Sequence, residues 1–134
     1  VVYPRGYLLC LSHLRTRRNM GLFDFLKRTP LDPTNLPAAV KAEEAVALVT
    51  DGAVLVDVRE NHEWKAGHAR EAIHIPLARL ASSTNRFKGR PVVVVCASGS
   101  RSRQGASELR VQGINATSLK GGMRAWQSAG GSQV

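Results

Sequence analysis

The chain has few cysteines, and this scarcity limits the kinds of site that it can build. Of its 134 residues only two are cysteine, Cys10 and Cys96, and most of the sequence lies between them. Two distant cysteines provide neither a disulfide framework nor the clustered ligands of a structural zinc site. We therefore expect no metal, and we expect a protein of a reducing, cytoplasmic setting.

Aromatic residues are also scarce, at 5% of the chain, and long hydrophobic runs are lacking. Proteins that bind single-stranded nucleic acid stack bases on aromatic side chains, so this composition argues against nucleic acid as a partner. Because no apolar stretch approaches the roughly 20 residues that cross a bilayer, we predict no membrane span. With 43% hydrophobic and 22% charged residues, the composition is that of a globular domain with its own core.

The formal net charge of +9 is distributed unevenly along the chain. Residues 1–28 carry six basic side chains and one acidic side chain, so they account for +5, and the remainder accounts for only +4. The basic residues of the remainder are dispersed, unlike the stripe that binds a nucleic-acid backbone. A modest positive potential instead raises the local concentration of small anions, which favours anionic substrates.

The beginning of the chain differs in pattern from the rest. Residues 1–35 form a basic N-terminal tail and a proline-rich linker, which we expect to be disordered or partly helical, because three prolines within residues 29–37 interrupt a helix. Met20 resembles a natural start, so we interpret residues 1–19 as an upstream extension. One domain is predicted over residues 36–131, and we expect it to be monomeric.

Helical and extended patterns alternate within this predicted domain. Strands are predicted at 54–58, 72–75, 92–96 and 116–119, and helices at about 42–49, 61–65, 77–82, 101–112 and after Gly122. The strands at 54–58 and 92–96 are nearly continuous aliphatic runs, which are typical of parallel strands buried on both faces. The sequence therefore predicts an α/β fold with a small, doubly wound, mainly parallel sheet of about five strands and helices on both faces.

The segment that follows the predicted strand 92–96 contains the candidate active site. After Cys96 comes a loop of mostly small residues that leads into a helix: Ala97, Ser98, Gly99, Ser100, Arg101 and Ser102. Such a loop can curl so that its backbone N–H groups and the helix N-terminus form a cradle for negative charge. We expect the cradle and Arg101 to lower the pKa of the Cys96 thiol. An isolated cysteine is more often a small core residue, but this loop makes Cys96 the candidate nucleophile.

Three motifs resemble those of rhodanese domains. Cys96-x-x-Gly99-x-Arg101-Ser102 resembles the active-site loop of that family. Asp57-Val58-Arg59-Glu60, with the later Glu63-Trp64 and Gly67-His68, resembles its Asp-Val-Arg signature, and Gly121-Gly122 with Ala125-Trp126 resembles its closing motif. The resemblance covers roughly residues 36–130. It implies transfer of sulfane sulfur through a Cys96 persulfide, a small doubly wound sheet, and no metal or organic cofactor.

The resemblance also implies the class of partner. The sulfur donor would be a small sulfur-containing anion, such as thiosulfate, or a persulfide, and the acceptor would be a thiol or cyanide. A protein can serve as donor or acceptor, and the sequence does not choose among these. One departure from the family is that Ala69-Arg70-Glu71-Ala72 and His74 stand where the family usually has Ile-Pro-Gly-Ala and an asparagine.

Four charged residues lie near the predicted end of the strand at 54–58. We expect Asp57 and Arg59 to form an ion pair that fixes loops beside the site, which is a structural role rather than proton chemistry. Glu60 and Glu63 are interpreted as solvated charges on the face of a helix. None of the four is a candidate acid or base.

Ser102 has two interpretations of equal weight. It can donate a hydrogen bond to the Cys96 sulfur, or it can cap the helix that follows the loop. Three histidines are spaced by six residues, at His62, His68 and His74, and lack the spacing of a helical metal motif. We predict capping or core roles for them.

Two other functions fit parts of the pattern. Cell-cycle phosphatases of the same fold also use a cysteine in an anion cradle, but their loop places five residues between cysteine and arginine. Here four residues separate Cys96 from Arg101, and Ser102 occupies the phosphatase arginine position. The second alternative is a binding module without catalysis, as rhodanese-like domains that lack the cysteine are thought to be. The presence of Cys96 argues against it.

Overall fold

A computed structural model of the protein describes residues 31–87 and 89–134. Strands and helices alternate along these residues. Their order is β1 (Ala39–Val40), α1 (Ala42–Thr50), β2 (Val54–Asp57), α2 (Asn61–Lys65), β3 (Ile73–His74), α3 (Leu77–Leu80), a 3-10 turn (Thr84–Phe87), β4 (Val92–Val95), α4 (Ser100–Val111), β5 (Ala116–Leu119) and α5 (Gly122–Ser128).

The predicted elements are present, with ends that differ by one or two residues at most positions. β1 was not predicted, because two residues are too few to show a period-two pattern. The predictions for the tail, including the upstream extension at 1–19, lie outside the described residues. Among the residues that the structure describes, no helix has the length and apolar character required to cross a bilayer.

The five strands form one sheet in the order β1-β5-β4-β2-β3, and every neighbouring pair is parallel. This confirms the predicted α/β class. In the central part of the sheet, Asp57 of β2 pairs with Val95 of β4, and Val94 of β4 pairs with Ser118 of β5. The carboxyl ends of these three strands therefore meet at one edge, where the loops after Asp57, Val95 and Leu119 lie side by side.

Helices cover both faces of the sheet. Val93 and Val95 face a core that includes Trp126 of α5. Val92 and Val94 face the opposite core, which includes Leu109 of α4. Because alternate residues of a strand point to opposite faces, a strand buried on both sides must be apolar throughout, which explains the uninterrupted valines of β4.

The described end of the predicted linker is bound to the turn between α4 and β5. Pro33 and Leu36 are buried. The side chain of Asn115 accepts a hydrogen bond from Leu36 N at 2.8 Å and donates one to the Pro33 carbonyl at 2.6 Å. The division of the chain at residue 35 stays a prediction, but residues 33–36 contact the domain directly.

Candidate active site

Cys96 lies immediately after β4, at the edge where the three central strands end. Its side chain is fully buried. The backbone N–H of Gly99 donates a hydrogen bond to the Cys96 sulfur over 3.0 Å. Gly99 has a left-handed conformation, with φ of 115°, which turns the chain back over the sulfur before α4 begins at Ser100. Burial alone would fit a core cysteine, whereas the inward amide fits an anion cradle.

Hydrogen bonds govern the ionisation of Cys96. Burial raises the pKa of the Cys96 thiol, but the side chain of Ser102 and the backbone N–H groups of Ser102, Gly99 and Ser98 lower it by more. The net effect is a pKa below the ordinary value of a thiol. The sequence also led us to expect a lowered pKa for Cys96. The groups that lower this pKa are hydrogen-bond donors of the loop and of the first turn of α4.

The other residues of the loop differ in their exposure to solvent. Ala97, Ser98 and Ser100 are exposed, and Gly99 is buried beneath them. The exposed side chains are small, so the outer side of the loop presents little bulk to an incoming molecule. Of the predicted loop residues, Ser98, Gly99 and Ser102 interact with the Cys96 sulfur, through their backbone N–H groups and the Ser102 hydroxyl.

Arg101 is bound to a carboxylate that the sequence analysis assigned to solvent. Its two terminal nitrogens lie 2.7 and 2.9 Å from the two carboxylate oxygens of Glu63 in α2. The hydrogen bond from Arg101 lowers the pKa of Glu63 to about 2. The interpretation of Glu63 as a solvated charge is wrong, because α2 and the start of α4 lie close enough for a two-pronged ion pair.

This pairing changes the expected role of Arg101. The hydrogen bond to Glu63 raises the pKa of Arg101, and the charges of Glu63, Cys96 and Glu60 raise it further. Arg101 is thus cationic, but its charge is balanced by the Glu63 carboxylate. The lower pKa of Cys96 comes from neighbouring hydroxyl and amide groups rather than from a free arginine. Glu60 itself is exposed, in agreement with its interpretation.

The predicted ion pair between Asp57 and Arg59 is present beside the site. The Arg59 side chain donates to the Asp57 carboxylate through Nε at 2.9 Å and through a terminal nitrogen at 2.7 Å. Both residues are buried. The same terminal nitrogen donates to the Gly67 carbonyl at 2.7 Å, so the pair links the end of β2 to the turn at Gly67.

Ser102 lies beside the sulfur and does not cap α4. Its hydroxyl oxygen is 3.5 Å from the Cys96 sulfur. It donates to the Gly99 carbonyl at 3.0 Å, whereas a capping side chain accepts from a backbone N–H. Its third neighbour is the hydroxyl of Ser118, at 2.7 Å. Ser118 was missed by the sequence analysis, although a serine within a buried strand is itself a sign of a buried hydrogen bond.

Gly122, the first residue of α5, packs against the backbone of the loop after Cys96. A β-carbon at Gly122 would overlap the Ala97 carbonyl and would lie 2.7 Å from the Cys96 carbonyl oxygen. Met123 N donates to that Cys96 oxygen at 3.0 Å. Gly122 therefore permits a close approach of two backbones.

Two of the three histidines stack on Trp64. The ring centroids of Trp64 and His68 are 3.5 Å apart, and those of Trp64 and His74 are 4.8 Å apart. The Nε2 atom of His74 lies 2.7 Å from the Arg59 carbonyl oxygen, so the residue that departs from the family pattern holds the loop after β2. Within residues 31–87 and 89–134, no group of three or more histidine, cysteine or acidic residues is arranged to hold a metal.

Comparison with known proteins identifies the family. The sequence-family model of the rhodanese-like domain matches residues 41–129 of this chain. The thiosulfate sulfurtransferase GlpE of Pseudomonas entomophila is 36% identical over 91 residues, which cover 66% of this chain and 84% of that protein.

Solved structures show the same architecture. A rhodanese-related protein from Thermoplasma volcanium is 26% identical with a TM-score of 0.64, covering 72% of this chain and 96% of that one. A rhodanese-like domain protein from Staphylococcus aureus is 31% identical with a TM-score of 0.60, covering 66% and 89%. With the family model matching most of the domain and the parallel sheet shared with these structures, the chain belongs to the rhodanese-like domain family.

Proposed function

We propose that the protein is a sulfurtransferase in which Cys96 carries sulfane sulfur as a persulfide. The proposal is supported by the family and by relatives that are named thiosulfate sulfurtransferases. The observation that carries it is the hydrogen bond from Gly99 N–H to the Cys96 sulfur, because a buried cysteine without a role needs no donor aimed at it. A donor in that position stabilises a negative charge on sulfur.

The first half-reaction loads the cysteine. The Cys96 thiolate attacks the outer sulfur of a donor such as thiosulfate, and a new sulfur–sulfur bond forms. The sulfur–sulfur bond of the donor breaks, and its electron pair leaves with sulfite. No electrons are gained or lost overall, so the step requires no redox cofactor, and the sequence predicts none.

The second half-reaction unloads the sulfur. An acceptor thiolate or cyanide attacks the outer sulfur of the persulfide, and the electron pair of the breaking bond returns to Cys96 as a thiolate. Both forms of the residue are anions, so the same amide and hydroxyl donors serve in each step. The exposed, small residues Ala97, Ser98 and Ser100 leave the outer side of the loop open to donor and acceptor.

The two alternative functions make different demands on the loop. A phosphatase of this fold places an arginine where Ser102 stands, and here the nearest loop arginine, Arg101, is bound by both oxygens of Glu63. Turnover of an aryl phosphate that is abolished by Cys96→Ala would favour the phosphatase. A binding module would have no need of a thiolate. The cytoplasmic setting and the monomeric state stay predictions.

Mass spectrometry of the intact chain tests the proposal. After incubation with thiosulfate or glutathione persulfide, we expect the added mass of one sulfur atom, which cyanide removes as thiocyanate. Cys10→Ser is the matched control, because it removes the other cysteine and should retain the adduct, whereas Cys96→Ser should lose it. An adduct that disappears with Cys10, or no adduct from either donor, would overturn the proposal.

A further inference from the structure

A second buried hydroxyl lies behind Ser102. Ser118 belongs to β5, next to β4, and its side chain is on the face of the sheet that α4 covers, where Ser102 also lies. The hydroxyl oxygens of Ser102 and Ser118 are 2.7 Å apart, and both residues are fully buried. Cys96, Ser102 and Ser118 thus form a line of three polar side-chain atoms that leads from the sulfur into the sheet.

The number of hydroxyl hydrogens on Ser102 and Ser118 determines which of the two serines donates the hydrogen bond between them. Each serine hydroxyl has one hydrogen and can accept through its lone pairs. Among the described residues, the side-chain partner of the Ser118 hydroxyl is the Ser102 hydroxyl, whereas Ser102 also has the Gly99 carbonyl as an acceptor at 3.0 Å. Both hydrogens are used only if Ser118 donates to Ser102. The hydrogen of Ser102 then points toward Gly99 or toward the sulfur.

We propose that Ser118 is a positioning residue, which donates to Ser102 and thereby keeps the Ser102 hydroxyl available as a donor to the Cys96 anion. The catalytic consequence rests on the proposed function, since it concerns the same sulfur. When Cys96 is a thiol, its S–H faces the Ser102 oxygen, and Ser102 donates to Gly99. On ionisation, the Ser102 hydrogen turns to the sulfur.

The bond from Ser118 strengthens this donation. A hydroxyl that accepts a hydrogen bond becomes a better donor, so Ser118 polarises Ser102 toward the sulfur. Without Ser118, the Ser102 oxygen loses its buried donor. The effect acts on the thiolate and on the departing sulfur of the persulfide alike, because both carry their charge beside Ser102.

The charged groups around the sulfur are paired independently of this line. Arg101 at the start of α4 is bound to Glu63 of α2, with Glu60 near it, and the Asp57–Arg59 pair lies at the end of β2. Substitution of Ser118 leaves all of these unchanged. A change in the ionisation of Cys96 in such a variant is therefore attributable to the hydroxyl line.

The test is the pH dependence of Cys96 alkylation by iodoacetamide, measured in the full chain carrying Cys10→Ser so that one thiol reacts. We expect Ser118→Ala to move the midpoint to higher pH by about half a unit, a fraction of the effect of a direct hydrogen bond to a charged group. Ser102→Ala should move it further. Because Ser118 acts through Ser102, the double variant should match Ser102→Ala alone.

Thr117→Val is the matched control. Thr117 is the neighbouring residue in β5, and its buried hydroxyl has no hydrogen-bond partner within the described part of the chain, so its loss should leave the midpoint unchanged. Ser118→Thr keeps a hydroxyl and should preserve the midpoint. An unchanged midpoint in folded Ser118→Ala, or additive shifts in the double variant, would disprove the inference. Alkylation needs no sulfur donor, so this failure is distinguishable from a failure to form the persulfide.

Discussion

The backbone of Gly122 lies directly against the carbonyl group of Ala97, so closely that a side chain at position 122 would occupy the same space. The start of α5 therefore packs directly against the backbone of the loop after Cys96. Met123 N reinforces this contact by donating to the Cys96 carbonyl at 3.0 Å. The geometry of the loop depends on a residue more than twenty positions away in the sequence.

Gly122→Ala should disturb this contact and the activity together. The substituted residue would need the left-handed conformation, with φ of 66°, and its β-carbon would overlap the Ala97 carbonyl. We expect a loss of at least about 2 kcal/mol in the free energy of unfolding, measured by urea denaturation, and a large loss of sulfur transfer.

Gly113→Ala is the control that separates backbone strain at a positive φ from steric overlap with the Ala97 carbonyl. Gly113 also has a positive φ, of 83°, but a β-carbon there would meet nothing within 4 Å. Its cost should be limited to about 1–2 kcal/mol of backbone strain, with activity retained. Equal effects of the two substitutions would show that the close approach at Gly122 does not matter.

Glu63→Gln should make the loop more attractive to anionic donors. Removal of the carboxylate leaves the charge of Arg101 unbalanced beside the site. We expect the KM for thiosulfate to fall about two- to fivefold at low ionic strength, with a smaller effect in salt, since the pair is partly exposed. Glu43→Gln, at an exposed position of α1, is the control for a general change in net charge. A KM that falls equally in both variants would contradict a specific role of the ion pair.

The same ion pair should contribute to acid stability. The hydrogen bond from Arg101 lowers the pKa of Glu63 to about 2, below its ordinary 4.5. A depressed carboxyl pKa stabilises the fold fully above the unfolded value and loses that contribution as pH falls toward the folded value. Between pH 4.5 and pH 2, the wild-type chain should therefore lose stability that Glu63→Gln lacks at every pH. Solvent exposure limits the difference to about 1 kcal/mol or less, which urea denaturation across this range would detect.

Asp57→Asn should lower the free energy of unfolding more than substitution of both Asp57 and Arg59 by apolar residues. The substitution leaves the Arg59 guanidinium buried without its carboxylate, which costs about 3–5 kcal/mol. A double variant with Asp57→Val and Arg59→Leu removes both charges and should be destabilised less than the single variant, as measured by denaturant unfolding. The opposite order would mean that the contact of Arg59 with Gly67 outweighs the buried charge.

Most strands and helices of the described residues were predicted from the sequence, and the signal was clearest for strands that are buried on both faces. β2 and β4 are buried on both faces, so their aliphatic runs stand out, whereas β1 has two residues and depends on pairing with β5. The loop at Cys96 was predictable because its small residues are contiguous. The Glu63–Arg101 pair was not, since 38 positions separate the partners and only the tertiary fold brings α2 near the start of α4.

Contacts through the backbone were the hardest to foresee. The close approach at Gly122 was not predicted, because a sequence does not show which carbonyl group lies against a glycine. Ser118 looked like part of a strand, because its role depends on the neighbouring Ser102 across the sheet and helix.

The stabilising groups that surround the sulfur belong largely to the main chain, since amides of Ser98, Gly99 and Ser102 contribute alongside one hydroxyl. Substitution of most loop side chains leaves these backbone donors in place, provided that Gly99 keeps its left-handed conformation. The outward positions Ala97, Ser98 and Ser100 are thereby free to diversify without loss of reactivity. For the sulfur transfer proposed above, this would allow the preference for donor or acceptor to change through Ala97, Ser98 and Ser100 alone.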